Sequence, residues 1–401
     1  MDLQRICRLR GAIQGYAWGS RTALAELLGE PSPSREPQAE LWLGAHPRGP
    51  ACVEIDGAWV PLPDAIAAAP EEILGPAAAR RFGRELPFLV KVLAAEQPLS
   101  IQAHPDPAQA AAGFARENAL GIPLDAPERS YRDARHKPEL LCALAPFRAL
   151  CGFRPIERVL ALFEALGVPE LADALDELRG ADEALGVQRF FTRFLALAPA
   201  ARKRLLAAAV PGAQRLRGCD PAYGWVAALA QAYPGDVGAL APLFLNRVEL
   251  APGEAIFLAA GELHSYLGGV GLEVMANSDN VLRGGLTPKH VDEAELLRTL
   301  TFRSGEPAIL RPARVGPGER RYPTVVPEFE LVELRLESGS RRIRGGPRGP
   351  DVLLCLEGEL QVTGPNAVAL RRGEAALAPA CVAEYAVGGG GFAYRVSVPV
   401  P

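Results

Sequence analysis

Five histidines in 401 residues make each imidazole worth locating, and one of them falls in the stretch Leu99–Pro107, LSIQAHPDP. A short β-rich run reads as a strand, where residues two apart project from one face, so Gln102 and His104 point together. Imidazole suits Zn, Cu, Fe or Ni, while a carboxamide oxygen is a weaker, harder ligand. The same pair also reads as a hydrogen-bonded core histidine beside an edge glutamine, and the motif alone leaves both readings open. Asp106 reads as a turn residue, with Pro107 opening the next helix.

Two further stretches carry the same kind of chemistry. In RHKPEL, Pro138 fixes its own φ and pushes Lys137 towards an extended conformation. Lys137 and Glu139 then share a face, with His136 beside them. As an isolated motif this is equally a solvated charged edge. In GELHSYLGG, His264 follows a turn at Gly261 and enters another strand. Two imidazoles, one carboxylate and one amide on β-segments make a four-ligand set for a divalent ion, with room for water or substrate at a further position. No cysteine lies in any of the three motifs, which weighs against softer ions.

An anion-binding element follows in MANSDNVLRGGLTPKHVD, Met275–Asp292. Small residues around Arg283 allow close approach of a ligand, and the guanidinium is the preferred fork for phosphate or an enediolate oxygen. Within the same stretch, Thr287 reads as an N-cap and Pro288 as the first turn of a helix over HVDEAELLRTL.

These residues must be positioned by elements whose texture changes twice along the chain. Up to about Phe153, short β-rich runs alternate with Gly/Pro punctuation and a few short helices such as Pro63–Ala69. From about Pro155 to Pro242 the period becomes helical: Ile156, Val159, Leu160, Phe163 and Leu166 fall on one face. Strand texture then returns to the end, which points to a helical block inserted into a β-rich protein. A faint repeat, LAPGEAIFLAAGELH against LRRGEAALAPACVAE at an offset of 120, sets His264 opposite Glu384. Since no histidine follows His290, the second copy has no imidazole to offer. The length implies two or three domains. A net charge of −4 gives no basic footprint for nucleic acid. Seven cysteines, an odd count without a CxxC pair, read as reduced thiols. No signal-like N-terminus and no membrane-length apolar run is present, so a cytoplasmic protein is expected.

The segments GYAWGS, AELWLGAHP, PFLVKVLAAEQPLSIQAHPD, HKPEL, FRALCGFRP and GELHSYLGGVGLEVMANSDNVLRGGLTPKHVD resemble, in order, the type I mannose-6-phosphate isomerases, zinc enzymes of the cupin superfamily. The resemblance implies one Zn2+ per chain, held by Gln102, His104, Glu139 and His264. It implies interconversion of mannose 6-phosphate and fructose 6-phosphate through a cis-enediol. Arg283 matches the active-site arginine, Lys137 and His136 are candidates for proton transfer, and Asp279 matches an acid for ring opening. Lys91 and Ser100 match positions that meet the phosphate, with Lys289 contributing. The implied fold is mainly β with an α-helical insertion: two cupin-type (jelly-roll) β-barrels plus a helical domain. The expected division is 1–153 and 244–315 for a catalytic unit, 154–243 for the helical insertion, and 316–401 for a C-terminal unit without metal. The expected partner is a small sugar phosphate, with no nucleic acid, no membrane and a monomeric chain. Two other readings remain. A non-catalytic sensor would be favoured had Lys137, Arg283 or a ligand been lost, and none is. A cupin enzyme with a redox metal usually offers two or three histidines with a carboxylate, and Gln102 in a histidine's place argues against it.

Overall fold

The computed structural model of the protein describes residues 3–180, 182–346 and 348–399. It is mainly β with helices, and the candidate metal ligands lie on or beside one ten-stranded antiparallel sheet. The centre of that sheet is the strand His264–Ala276, which pairs with four others. Its second half lies between Phe88–Ala95 and Glu139–Ala143. Its first half pairs with Phe147–Phe153 and, at His264, with Ile101–Ala103. The change of partners falls at Gly268 and Gly269, whose φ values are +152° and +126°. A Cβ on Gly269 would stand 2.6 Å from the Pro146 carbonyl oxygen, so only glycine lets these backbones approach.

A second ten-stranded sheet is built on Glu330–Gly345, Asp351–Thr363 and Glu384–Ser397. The strand Cys7–Arg10 joins it by pairing with Ala375–Ala378 and Cys52–Ile55. Strands from the start of the chain are therefore woven into the sheet of its last third, a long-range pairing that local texture does not signal. The repeat at an offset of 120 reappears in the strands themselves. Ala255–Leu258 corresponds to Ala375–Ala378, and the strand starting at His264 to the one starting at Glu384. The turns leading into Ala255 and Ala375 use Gly253 and Gly373, at φ +85° and +83°.

Helices run from Ile156 to Phe244. All five periodic residues of the first, Ile156–Leu166, pack on one core, and Gly167 ends it in a left-handed cap. Asp106 caps the helix Pro107–Ala119 by a capping box with Gln109, as the Asp-Pro signal implies. The short early helix spans Leu62–Ala68, one residue earlier than the sequence predicts. The expectation at Thr287 fails. The helix begins later, at Glu293, with Asp292 accepting from the Glu295 N–H, while Thr287 Oγ1 accepts from Lys289 in a local turn. An aspartate with a free amide three residues on outcompetes a threonine followed by two residues still in loop conformation. Among the described residues, no helix is long and apolar enough to cross a membrane.

The helices and the first sheet share a core. Phe244 sits at its junction, with the rings of Phe153, Phe190, Phe191 and Phe194 between 5.1 and 6.5 Å away. Phe244→Ala should therefore cost about 3–5 kcal/mol, read as a lower urea midpoint at an unchanged slope. A loss under about 1 kcal/mol would show that the helices do not depend on this junction.

Candidate metal centre and adjoining cavity

His104 lies one residue beyond the strand Ile101–Ala103, His264 opens the central strand opposite Gln102, and Glu139 opens a third. The His104 and His264 side chains and that of Glu139 are each 1% exposed. His104 Nε2 is 3.3 Å from Glu139 Oε1, and His264 Nε2 is 3.5 Å from Glu139 Oε2. One ligand atom from each residue falls within 4.8 Å of the other two. The remaining ring nitrogens are already committed: His104 Nδ1 donates to the Asn280 carbonyl at 2.7 Å, His264 Nδ1 to that of Glu262 at 2.9 Å. These contacts fix the tautomers, so both Nε2 lone pairs face Glu139.

His104 Nε2, His264 Nε2 and Glu139 Oε2 are buried without any hydrogen-bond partner. Three electron-pair donors turned on one another and stripped of water are costly unless a cation stands among them. The set of two imidazoles and a carboxylate suits a divalent ion of the zinc type. Burial, then Lys137, pushes the His104 pKa down to about 4, which keeps the ring in its ligating neutral form. Burial alone would raise the Glu139 carboxyl, but Lys137 and His104 hold it well below its ordinary range. Lys137 Nζ is 2.9 Å from Glu139 Oε1, the shared face that Pro138 implies.

A cavity of about 390 Å3 opens beside this cluster and is lined by Glu139, Gln102, Lys137, Ser100, Lys91, Asp279, Arg283 and Lys289, among others. Gln102, half-buried, pairs across the sheet with both His264 and Arg283. One candidate is not brought there. His136 faces a separate cavity of about 480 Å3 behind the same wall, and its Nε2 is 2.9 Å from Glu328. The alternation that turns Lys137 and Glu139 inward turns His136 away.

The charges that line the cavity are of two kinds. On one wall Lys91 Nζ is 2.9 Å from Glu273 and 3.7 Å from Glu40. Burial would lower its pKa, but Glu273 and Glu40 raise it strongly, so Lys91 stays charged and already balanced. Tyr266 donates to the other Glu273 oxygen and Trp42 to Glu40. Elsewhere on the lining Arg283, Lys289 and Arg132 act on one another. Burial, then Arg132, lowers the Arg283 pKa; burial, then Arg283, Arg132 and Arg48, lowers that of Lys289. The charges that shift these two are all positive. Asp279 is on the same lining, its Oδ2 3.3 Å from His46 Nε2 and its Oδ1 bound by Arg48.

His46, Arg48, Arg132, Glu40, Glu273 and Tyr266 escaped the sequence reading. A signal for the first was present: Ala-His-Pro occurs at Ala45–Pro47 and again at Ala103–Pro105, around the ligand His104. Glu273 shows in the sequence only as a lone acid in the apolar run GLEVMA.

Residues 6–156 match the family described as phosphomannose isomerase type I, catalytic domain. The mannose-6-phosphate isomerase of Escherichia coli (strain K12) is 41% identical over 396 residues, which cover 97% of this chain and 98% of the relative. That of Salmonella typhimurium is 43% identical over 356 residues, 88% and 89% of the two chains. A solved zinc-bound mannose 6-phosphate isomerase superposes with a TM-score of 0.91 at 39% identity, covering 98% of this chain and 100% of that one. With identity of this extent over almost the full length, the chain belongs to the mannose-6-phosphate isomerase family.

Proposed function

We propose that the protein interconverts mannose 6-phosphate and fructose 6-phosphate with one zinc ion held by His104, Glu139, His264 and Gln102. The observation that carries this reading is the set of three buried, unpartnered donor atoms beside a cavity lined by Arg283, Arg132 and Lys289. Zinc supplies a fixed positive charge and Lewis acidity beside the cavity.

The remaining work falls to this chain's side chains. The sugar phosphate is drawn in by Lys289, with Arg132 beside it and the Ser100 hydroxyl on the wall; Lys91, paired with two carboxylates, adds shape more than net charge. Asp279 takes the hydroxyl proton as the ring opens. Lys137, its amine buried beside Glu139, is the group that moves the proton between C2 and C1 through the cis-enediol. His136 faces away and falls out of that role. Arg283, on the lining with Arg132, stabilises the enediolate charge as it develops.

The fold reading belongs to the same proposal. Two cupin-type jelly-roll barrels, 1–153 with 244–315 and 316–401, flank a helical insertion at 154–243, the first lending its N-terminal strand to the second sheet. Antiparallel pairing throughout and the strand repeat at an offset of 120 support this. We take the chain to be a cytoplasmic monomer.

His104→Ala or His264→Ala should each abolish bound zinc, measured on the purified protein, together with turnover of mannose 6-phosphate in a coupled assay. Normal zinc content in either variant would overturn the ligand assignment. Arg283→Ala should lower turnover by roughly 10²–10³ while KM, zinc content and Tm stay close to those of the parent. A variant with normal turnover and a much raised KM would make Arg283 a phosphate anchor instead.

A further inference from the structure

His46 is only 4% exposed, yet both ring nitrogens are engaged. Its Nδ1 lies 3.2 Å from the backbone N–H of Arg48. An amide N–H only donates, so Nδ1 accepts, and the neutral ring carries its proton on Nε2. Nε2 then turns its N–H towards Asp279 Oδ2, 3.3 Å away. The ring stands edge-on to Trp42, with centroids 4.9 Å apart and planes at 77°, which fixes its direction further. The Arg48 guanidinium takes Asp279 Oδ1, and the Asp279 N–H donates to Asp133 Oδ2 at 2.9 Å. Backbone and both carboxylate oxygens of Asp279 are therefore restrained, from two different segments.

That restraint has a purpose in a cavity rich in cations. A loose carboxylate would swing onto Arg283 or Lys289 and cancel the charge that receives the phosphate. We propose that His46 is the positioning residue for Asp279, holding its carboxylate in the orientation from which it accepts the sugar's anomeric hydroxyl proton. In that step the O1 proton moves to Asp279, the C1–O5 bond breaks as the C1=O1 carbonyl forms, and O5 takes a proton from water. Asp279 returns its own proton to that water, so none is gained overall. Burial would raise the Asp279 pKa, but the bond from His46 and the charge of Arg48 bring it down to about 2, so the acceptor is ionised at neutral pH. The inference rests on the role given to Asp279 above.

The test is a double-mutant cycle on the zinc-loaded enzyme, read by turnover and by the enzyme-catalysed anomerisation of mannose 6-phosphate in 13C exchange NMR. His46→Ala should slow both by roughly 10–100-fold, the scale of losing an outer partner of a functional group, at unchanged zinc content. His46→Gln, whose amide still donates, should recover part of the rate. In an Asp279→Asn background, His46→Ala should add less than about two-fold, because there is no carboxylate left to position. If the alanine variant folds poorly, His46→Phe keeps the ring against Trp42 without the donor and carries the same expectation. Asp279→Asn with normal anomerisation would overturn the role of Asp279, and that of His46 with it. A slowed Asp279→Asn beside a normal His46→Ala, or losses that multiply in the double variant, would overturn the proposal for His46 alone.

Discussion

A carboxylate buried between two imidazoles, each offering it a lone pair, is the constraint on which the first sheet depends. Glu139 Oε2 and the two histidine Nε2 atoms have no hydrogen-bond partner among the described residues. Sequestering such groups costs several kcal/mol unless a cation is shared among them. Only a rigid frame can hold three repelling donors together, and the central strand supplies it. Because His264–Ala276 is paired along both edges, with four partners, a shift at His264 would have to break ladders to several neighbours at once. Lys137, 2.9 Å from Glu139, relieves part of the strain electrostatically but leaves the two imidazole lone pairs unanswered.

What the sequence made legible follows from locality. Ligand types of low abundance, placed two residues apart or just behind a Pro-fixed step, marked candidates without deciding between them, and the helical period at Ile156–Leu166 was local too. The misses are of three physical kinds. His136 was grouped with its neighbours by resemblance, although strand alternation already separates it from Lys137. Thr287 looked like a cap because a cap is read from type and spacing, while the competing Asp292 wins through a bond visible only in three dimensions. The pairing of Cys7–Arg10 with Ala375–Ala378 spans almost the whole chain, and nothing in either segment announces the other.

The cavity also shows why counting charged residues misleads. Lys91 and Lys289 look equivalent in a sequence, but Lys91 is matched by Glu273 and Glu40 and buried with them, whereas the charges that shift Lys289 are those of Arg283, Arg132 and Arg48. A dianionic phosphate gains most where positive charge is unmatched, and a polyhydroxylated carbon chain gains most against paired donors and acceptors such as Glu273, Tyr266 and Lys91. Paired and unmatched charges thus line one cavity, a contrast that answers the two chemically different parts of a sugar phosphate.

The second sheet meets the same problem and solves it differently. Glu139 is in register with Leu258, and Asp351 with Ala378, residues 120 apart in the repeat, so Asp351 occupies the place that Glu139 has in the first sheet. Asp351 is likewise fully buried, but the Arg348 guanidinium lies 3.3 Å away, Tyr385 donates to it at 2.8 Å, and Ser397 takes the other oxygen. The position matching His264 is Glu384, and it is exposed. An arginine with two hydroxyls satisfies a buried acid from within the chain and leaves no lone pair asking for an ion. Two acids at matching positions of the repeat thus differ in one respect: Asp351 is answered by cations and hydroxyls of the chain, and Glu139 Oε2 is not.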